Sequence, residues 1–550
     1  MSVEVNGQRL IPFATTLEPG SSRANKTGSW RSLRPEYVNN LPPCNQACPA
    51  GENIQAWLSH VQRGDFHAAW QEITLNNPMP ATMGRVCYHP CQSGCNRKET
   101  DGGVQINGTE KYIGDQALQH GWQFARPEQE SGLKVLVIGG GPGGLSTAYH
   151  LRRAGHSVVI CEAQPKLGGM LRYGIPSYRL PREILDMEID RILAMGNIEV
   201  RTNTRVEDIE AMKQAEGFHS VFVSVGNWIA NRAETSIEDG QRMLDGIEVL
   251  RQVENGEEHG MTGRVVVWGG GNTAIDVARV ALRVTGEKPV MIVRRDMSGL
   301  RAHPEEIQDA VDEGVEIMVL STIHTIRQGE VVLEKMVADE SGRPHPTGEY
   351  LTIKGDSVVA ALGQSAELSL MEKLGLSKAG DWEVAVSPAM MTEIPGIFAG
   401  GDMVPSIRTV TAAIGHGKKA ARHIDLWLND QAFPEAKERV IATFERMNTV
   451  YYPQATMHKR PKLEAGVRIG DFREIKGSLT AAQAIAEAQR CMSCGNCMEC
   501  DNCYGFCPDN AIIKLGAGKG FQIDYDYCKG CGICAAECPL GALDMVMETI

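Results

Sequence analysis

The sequence predicts an α/β fold class, and three observations lead to that prediction. Twice along the chain, an apolar segment runs directly into a glycine-rich turn and a helix, first near residue 139 and again near residue 269. Of 16 cysteines, five lie between Cys44 and Cys95 and ten lie between Cys491 and Cys538. At 550 residues the chain is too long for one hydrophobic core. We therefore expect two Rossmann-like folds between two cysteine-rich modules.

Composition and charge narrow the possible functions. The chain is 42% hydrophobic and 22% charged, as is usual for globular proteins, and its net charge of −13 argues against a nucleic-acid partner. The first twenty residues have neither the basic nor the apolar segment of a signal peptide. No apolar run is long enough to span a membrane. We expect a cytoplasmic protein, in which clustered cysteines indicate metal or redox centres rather than disulfides.

The first strand–turn–helix unit carries a complete dinucleotide-binding fingerprint. An apolar run predicts a buried strand, and the motif Gly139-x-Gly141-x-x-Gly144 follows it and opens a helix. The first glycine permits the tight turn, the second admits a pyrophosphate, and the third allows close helix–strand packing. A second apolar run ends in Glu162, which can accept hydrogen bonds from a ribose. The candidate binding residues are Gly139, Gly141, Pro142, Gly143, Gly144 and Glu162.

A second fingerprint follows about 130 residues later. Here Gly269-x-Gly271-x-x-Ala274 follows an apolar strand, and the alanine is an allowed replacement for the third glycine. The next strand ends in Arg294-Arg295, where an acid would favour NAD. Two cations favour the 2′-phosphate of NADPH, although a solvated arginine pair is the alternative. The candidate residues are Gly269, Gly271, Asn272, Thr273, Ala274, Arg294 and Arg295.

Two further glycine-rich stretches belong with the first fingerprint. Residues 168–181 contain too many Gly and Pro residues for a regular element, and such a loop could lie along a flavin ring or be an ordinary surface loop. Residues 394–403 predict a strand that ends near Asp402, which can hydrogen-bond a flavin ribityl chain. We therefore expect an FAD fold that is split around an NAD(P)H fold. The additional candidates are Gly169, Leu171, Gly226, Gly401 and Asp402.

Cysteines in the N-terminal region predict a metal centre. Two cysteine-bearing segments flank a helical stretch at residues 54–70 and can converge on one iron–sulfur cluster. A zinc site is the alternative, but a Cys-Pro pair beside a ligand is more typical of clusters. The candidate ligands are Cys44, Cys48, Cys87, Cys91 and Cys95.

The tail repeats the bacterial ferredoxin pattern C-x2-C-x2-C-x3-C-P twice, which predicts two 4Fe–4S clusters. In that pattern the fourth cysteine of each run binds the cluster of the other run. One cluster would use Cys497, Cys500, Cys503 and Cys538. The other would use Cys528, Cys531, Cys534 and Cys507. Cys491 and Cys494 have no place in this scheme and are either spare thiols or the sign of an alternative register.

With these motifs in view, residues 40 to 430 resemble the flavoprotein family of the glutamate synthase small subunit and the N-terminal half of dihydropyrimidine dehydrogenase. The most specific segments are GRVC, VLVIGGGPGGLS, GGMLRYGIPSYRLP, VVVWGGGNTAIDVAR and GIFAGGD. The resemblance implies a helical cluster domain followed by paired FAD and NADPH folds. It also implies one N-terminal cluster held by Cys48, Cys87, Cys91 and Glu110, which leaves Cys44 and Cys95 free. An all-cysteine set that includes those two is equally compatible.

The chain departs from the family in two places. Family members usually carry two more cysteines ahead of Cys44, where this chain has SLRPEYVNNLPP, and small subunits of glutamate synthase typically lack the ferredoxin tail. The expected domains are an extended lead-in (1–40), a helical iron–sulfur domain (41–125), FAD-binding parts (133–258 and 386–428), an NAD(P) domain (259–385), a connector (429–485) and a ferredoxin domain (486–550).

These features predict an electron-transfer flavoprotein subunit that passes electrons between NAD(P)H, FAD and 4Fe–4S clusters. No catalytic side chain is predicted, because the flavin carries out the hydride chemistry. The expected partner is a larger oxidoreductase subunit in a hetero-oligomer, for example in 2-oxoacid or sulfur metabolism. The alternatives are a glutamate synthase small subunit, a flavin-based bifurcating transhydrogenase subunit, and a non-catalytic electron wire or scaffold.

Overall fold

Two parallel five-stranded sheets form the centre of the protein, which confirms the two Rossmann-like folds that the sequence predicts. The computed structural model describes residues 3–5, 8–10, 26–380, 383–435 and 438–548. The central strand of the first sheet is buried on both faces, which explains its continuous rather than alternating apolar run. The first sheet has the strand order Ile397–Ala399, Ser220–Val223, Lys134–Ile138, Ser157–Cys161 and Ile198–Arg201.

The second sheet is built in the same way. Its strand order is Met243–Asp245, Ser357–Ala360, Val265–Trp268, Val290–Ile292 and Glu316–Met318, with all pairs parallel. A four-stranded sheet adjoins it, with the order Pro344–Lys354, Glu330–Ala338, Ser321–Arg327 and Ser236–Ile237. The helices of this region are Pro142–Arg153, Met170–Tyr173, Arg182–Leu193, Ile209–Glu216, Gly246–Asn255, Asn272–Thr285, Pro304–Glu313, Ser369–Glu372 and Val410–Leu428.

The first fold is split around the second. The antiparallel pair Asn227–Ala230 and Gln364–Ala366 connects the two folds. The chain then returns to the first sheet, where Ile397–Ala399 pairs with Ser220–Val223. The second fold begins before the expected position 259, because Met243–Asp245 already pairs in its sheet. A three-residue edge strand carries little periodicity, so the sequence pattern does not reveal this boundary.

One long helix fixes the two parts of the first fold against each other. Val410–Leu428 begins at Thr409, whose side chain accepts a hydrogen bond from the backbone N–H of Ala412. It packs closely on Pro142–Arg153, since a Cβ at Gly417 would lie 2.4 Å from the carbonyl oxygen of Gly143. This contact places the Asp402 turn opposite the first glycine turn.

The N-terminal region is helical, as expected. The predicted helical stretch at 54–70 is two helices, because Gly64 adopts φ +73° and Asp65 caps the second helix. The helices are Pro43–Ala47, Ile54–Gln62, Phe66–Thr74, Pro80–Val86, Pro90–Gly94 and Ile106–Gln119.

The tail contains short elements and packs on the N-terminal region. The expected lead-in at 1–40 includes the strand Leu33–Tyr37, which pairs with Leu543–Met547 near the end of the chain, while residues 11–25 lie outside the described residues. The remaining strand pairs are Val3–Val5 with Gln8–Leu10 and Ile512–Lys514 with Phe521–Ile523. The tail helices are Ala465–Arg468, Ala481–Gln489, Asn502–Gly505 and Ile533–Ala536.

The helix Ala481–Gln489 crosses the expected boundary between residues 485 and 486. The loop expected at 168–181 contains one helical turn, Met170–Tyr173.

Within the described residues, no helix combines the length and apolarity needed to cross a lipid bilayer.

Candidate functional site

A cavity of about 1630 Å³ extends from the first glycine turn to the second. Its volume exceeds the range of ordinary single-ligand pockets, so it can receive two dinucleotides. The predicted residues that line it are Gly139, Gly141, Pro142, Gly143, Glu162, Gly169, Gly226, Gly269, Gly271, Asn272, Thr273, Arg294, Arg295, Gly401 and Asp402. Three predicted residues lie outside its lining: Gly144, Leu171 and Ala274.

The first glycine turn forms a cradle in which several positions leave no room for a side chain. A Cβ at Gly143 would lie 2.5 Å from the Ser224 hydroxyl, and a Cβ at Gly144 would lie 1.9 Å from the carbonyl oxygen of Gly139. Gly139 itself adopts φ +102°. The helix that begins at Pro142 therefore directs its free backbone N–H groups into the cavity, where a pyrophosphate can accept from them.

Two carboxylates line the FAD half of the cavity. Glu162 accepts hydrogen bonds from the backbone N–H groups of Gly140 (2.7 Å) and Gln164 (2.8 Å), which fix its position at the end of the strand. Burial raises the pKa of Asp402 to about 6, against the lowering effect of Arg408. Both acids line the cavity, so their oxygens are available to ribose and ribityl hydroxyls. These acceptors and the glycine cradle fit FAD.

Three arginines define the other half of the cavity. Arg294 and Arg295 follow the strand Val290–Ile292 of the second sheet. Arg301 lines the cavity with them, although the sequence pattern does not single it out. Burial lowers the pKa of Arg295, and the guanidinium groups of Arg301 and Arg294 lower it further. Within the described part of the chain, none of the three forms an ion pair with a carboxylate. Unpaired cations close together fit a phosphate-rich ligand such as NADPH.

The wall of this cavity contacts Cys87, which belongs with Cys48, Cys91 and Glu110 to the first cysteine set. Val86 and Tyr88 line the cavity, as does Thr411, whose hydroxyl lies 3.1 Å from Cys87 Sγ and donates a hydrogen bond to it. The pKa of Cys87 is raised to about 12, first by burial and then by the neighbouring carboxyl group of Glu110. Sequence reasoning misses Thr411 because a single Thr after a glycine turn carries no pattern.

Cys48, Cys91 and Glu110 surround Cys87. Burial raises the pKa of Cys91, and the thiols of Cys87 and Cys48 raise it further, followed by Glu110. Asn77 Nδ2 donates to Glu110 Oε1 at 2.9 Å, which orients the buried carboxyl group. The structure thus brings together the set that the family resemblance implies. Four acidic donors crowded in a buried site need the positive charge of iron to ionise, and they fit a cluster.

Cys44 and Cys95 do not join that set. They line a separate cavity together with Cys491 and Cys494 from the tail. The sequence pattern contains no signal for this meeting, because about 400 residues separate the two segments.

The ferredoxin-like cysteines lie in the two expected sets. Burial raises the pKa of Cys503, and the thiols of Cys497, Cys500 and Cys538 raise it further. In the second set, the pKa of Cys534 is raised to about 12, first by burial and then by the thiols of Cys528, Cys531 and Cys507. The fourth cysteine of each run therefore faces the other run's set, as the two-cluster pattern requires.

Among the described residues, no three His, Cys, Asp or Glu side chains are placed to hold one ion. A 4Fe–4S cluster binds each cysteine through a different iron, so its ligands stand farther apart than those of zinc. The sulfur-rich chemistry of the donor sets fits clusters.

Comparisons with protein-family models match three parts of the chain. Residues 133–417 match the model described as pyridine nucleotide-disulphide oxidoreductase. Residues 37–122 match dihydropyrimidine dehydrogenase domain II, 4Fe-4S cluster, and residues 521–544 match a 4Fe-4S binding domain. The three matches fall on the predicted nucleotide folds and on the two cysteine-rich regions.

Curated proteins include long relatives of this chain. The NADP(+)-dependent formate dehydrogenase subunit beta of Moorella thermoacetica is 34% identical over 82% of this chain and 70% of its own length. The NADPH-Fe(3+) oxidoreductase subunit beta of Geobacter sulfurreducens is 31% identical over 82% and 75%. The glutamate synthase [NADPH] small chain of Escherichia coli is 31% identical over 76% of this chain and 95% of its own length.

Proposed function

We propose, since the chain belongs to the pyridine nucleotide-disulphide oxidoreductase family, that it is the NADP(H)-linked electron-transfer subunit of a larger enzyme complex. The predicted class is confirmed: an NAD(P)H-dependent FAD and 4Fe–4S oxidoreductase subunit. The relatives are named as subunits of larger enzymes, which implies a hetero-oligomer.

One observation carries the proposal: the dinucleotide cavity and the first cysteine set share a wall. The hydrogen bond from Thr411 to Cys87 Sγ joins a residue that lines the cavity to a candidate cluster ligand. FAD, when bound, supplies the chemistry, since it takes a hydride from NAD(P)H and returns electrons one at a time. A one-electron carrier at this wall is therefore in the right place to receive them.

The chain's own residues bind and orient the two dinucleotides. Glu162 and Asp402 present acceptor oxygens to the hydroxyl groups of FAD, and the helix beginning at Pro142 presents backbone N–H groups to its phosphates. Arg294 and Arg295 supply the charge that selects NADP(H) over NAD(H). Both dinucleotides enter one continuous cavity, so their reactive rings can meet inside it.

The region around the two ferredoxin-like cysteine sets provides a surface for the partner. Cys500 and Cys531 are exposed, which brings the clusters close to solvent. Exposed apolar side chains lie in the same segment, with Met498 at 54% and Phe506 at 52% exposure. Apolar groups around a redox centre are typical of a docking surface for an electron-transfer partner. We assign this face to the larger oxidoreductase subunit.

Anaerobic rapid mixing of the full-length holoprotein with NADPH tests the proposal. Flavin absorbance should bleach first, and cluster absorbance should bleach in a second phase. Thr411→Val removes the hydrogen bond to Cys87 while keeping the side-chain shape, and it should slow the second phase without slowing the first. Thr285→Val is the control, since Thr285 donates to the Ala281 carbonyl oxygen and accepts from the backbone N–H of Glu287, and it does not line the cavity. Clusters that stay oxidised beside a reduced flavin would contradict the proposed route.

A further inference from the structure

We propose that Cys44, Cys95, Cys491 and Cys494 hold a further 4Fe–4S cluster, with two ligands from the N-terminal helices and two from the tail. This ligand assignment goes beyond the proposed function and stands without it, whereas the cluster's place on the electron route rests on that function.

The four cysteines line one small cavity. Cys44 lies in the helix Pro43–Ala47, and Cys95 directly follows the helix Pro90–Gly94. The tail supplies Cys491 and Cys494 just after its helix ends. The remaining walls are largely apolar, with Leu58, Val104 and Ile106 among them. A buried pocket that four sulfur donors share among apolar walls has the chemistry of a cluster site.

The thiols face one another across this cavity. Burial raises the pKa of Cys44, and Cys491, Cys95 and Cys494 raise it further, in that order. The pKa of Cys494 is raised to about 12 in all, first by burial and then by Cys491 and Cys95. These contributions accord with the geometry, in which all four thiols line the same cavity. Iron would compensate for the charge of the four thiolates.

Buried contacts hold the tail segment against the N-terminal region. Ala484 and Ala488 pack in the same hydrophobic core as Trp57. The next residue after the helix, Arg490, is 3% exposed and donates to the Asp101 carboxylate and to the carbonyl oxygens of Gly102 and Gly103. An arginine with this many buried partners fixes the backbone that leads into Cys491.

The other side of the tail segment is anchored as well. Asn496 Nδ2 donates to Gln55 Oε1 at 2.7 Å, and Gly495 accepts from the backbone N–H of Asn40 at 3.0 Å. A Cβ at Gly495 would lie 2.8 Å from the Asn40 carbonyl oxygen, so this close approach requires glycine. The contacts before and after the Cys-x-x-Cys pair hold both thiols in the cavity, so their position does not depend on a bound cluster.

The site lies between the N-terminal set and the ferredoxin-like sets. On one side, the helix Pro43–Ala47 carries Cys44 and is directly followed by Cys48, and the helix Pro90–Gly94 carries Cys91 and is directly followed by Cys95, so each helix contributes to both sites. On the other side, the Tyr452 hydroxyl donates to the carbonyl oxygens of Met492 (2.8 Å) and Pro539 (3.2 Å), which joins the new site to the Cys538 region. A cluster here would accept one electron from its reduced neighbour and pass one on, with no bond made or broken.

Iron and acid-labile sulfide counts on the anaerobically purified full-length protein test the assignment. We expect about sixteen irons per chain, against about twelve if only the other three sets are loaded. The variant C491A/C494A should lose about four irons and keep its FAD. Cys161→Ala, which removes a cysteine outside all the sets, should lose none. The number of unpaired spins per chain, measured by electron paramagnetic resonance of the reduced protein, should fall in proportion to the iron content.

The outcomes separate this inference from the proposed function. About twelve irons in the wild type with NADPH-driven cluster reduction intact would overturn the extra cluster alone. Zinc in the wild type that disappears in C491A/C494A would also overturn it. A wild type with about sixteen irons that NADPH does not reduce would instead contradict the proposed function. If C491A/C494A fails to fold, Mössbauer quantification of the wild-type clusters decides the question.

Discussion

The arginine group in the second half of the cavity gives a quantitative prediction about coenzyme choice. Arg294, Arg295 and Arg301 line the cavity without carboxylate partners among the described residues. Three cations held together repel one another, and the pKa of Arg295 is lowered by burial and by the two neighbouring charges. A 2′-phosphate relieves that repulsion, whereas NADH has no phosphate at this position. Replacing the charges should therefore weaken NADPH selectively.

The size of the effect follows from the exposure of each group. A hydrogen bond to a charged group contributes about 1.5–3 kcal/mol, and about 1.4 kcal/mol corresponds to tenfold in binding. Arg294 is exposed, so solvent screens it, and Arg294→Gln should raise the KM for NADPH about tenfold. Arg295 is partly buried, so R294Q/R295Q should raise it about 100-fold. The KM for NADH should change less than about threefold.

Steady-state reduction of a dye by the full-length protein, with each coenzyme in turn, measures both constants. Arg343→Gln removes an exposed arginine on the hairpin of the adjoining sheet, away from the cavity, and serves as the matched control. High salt should narrow the difference between the coenzymes in the wild type. Equal losses for NADPH and NADH in R294Q/R295Q, or a wild type that prefers NADH, would refute the phosphate-binding role.

Three further predictions concern FAD and the distal clusters. Gly143→Val should abolish FAD binding, because a Cβ there would lie 2.5 Å from the Ser224 hydroxyl. The flavin content of the purified variant measures this, and a wild-type flavin content would contradict the role of the glycine turn. Burial raises the pKa of Asp402 to about 6. If its carboxylate accepts from the ribityl chain, the FAD dissociation constant should rise as the pH falls below about 6 and the group protonates, and Asp402→Asn should remove this dependence. C528S/C531S should lose one cluster's iron and partner reduction, while NADPH still bleaches the flavin at the wild-type rate.

The sequence by itself determined the two nucleotide folds and the ferredoxin pattern. Their signals are local: a strand, a glycine turn and a helix occupy about 30 consecutive residues, and the cysteine runs have fixed spacing. Backbone geometry at such a turn depends on glycine at set positions, so Gly139 and Gly269 reveal the folds without tertiary information. The crossed pairing of Cys507 and Cys538 is likewise contained in the spacing.

Only the tertiary structure decided how the segments meet. Arg301 joins Arg294 and Arg295 because a loop returns to the second glycine turn, where the backbone N–H of Arg301 bonds to Gly270. Leu33–Tyr37 finds its strand partner near the end of the chain. Cys491 and Cys494 have no place in the ferredoxin spacing, yet buried packing of the preceding helix carries them to Cys44 and Cys95. Contacts across some 400 residues depend on complementary surfaces and buried polar partners, which no local spacing encodes.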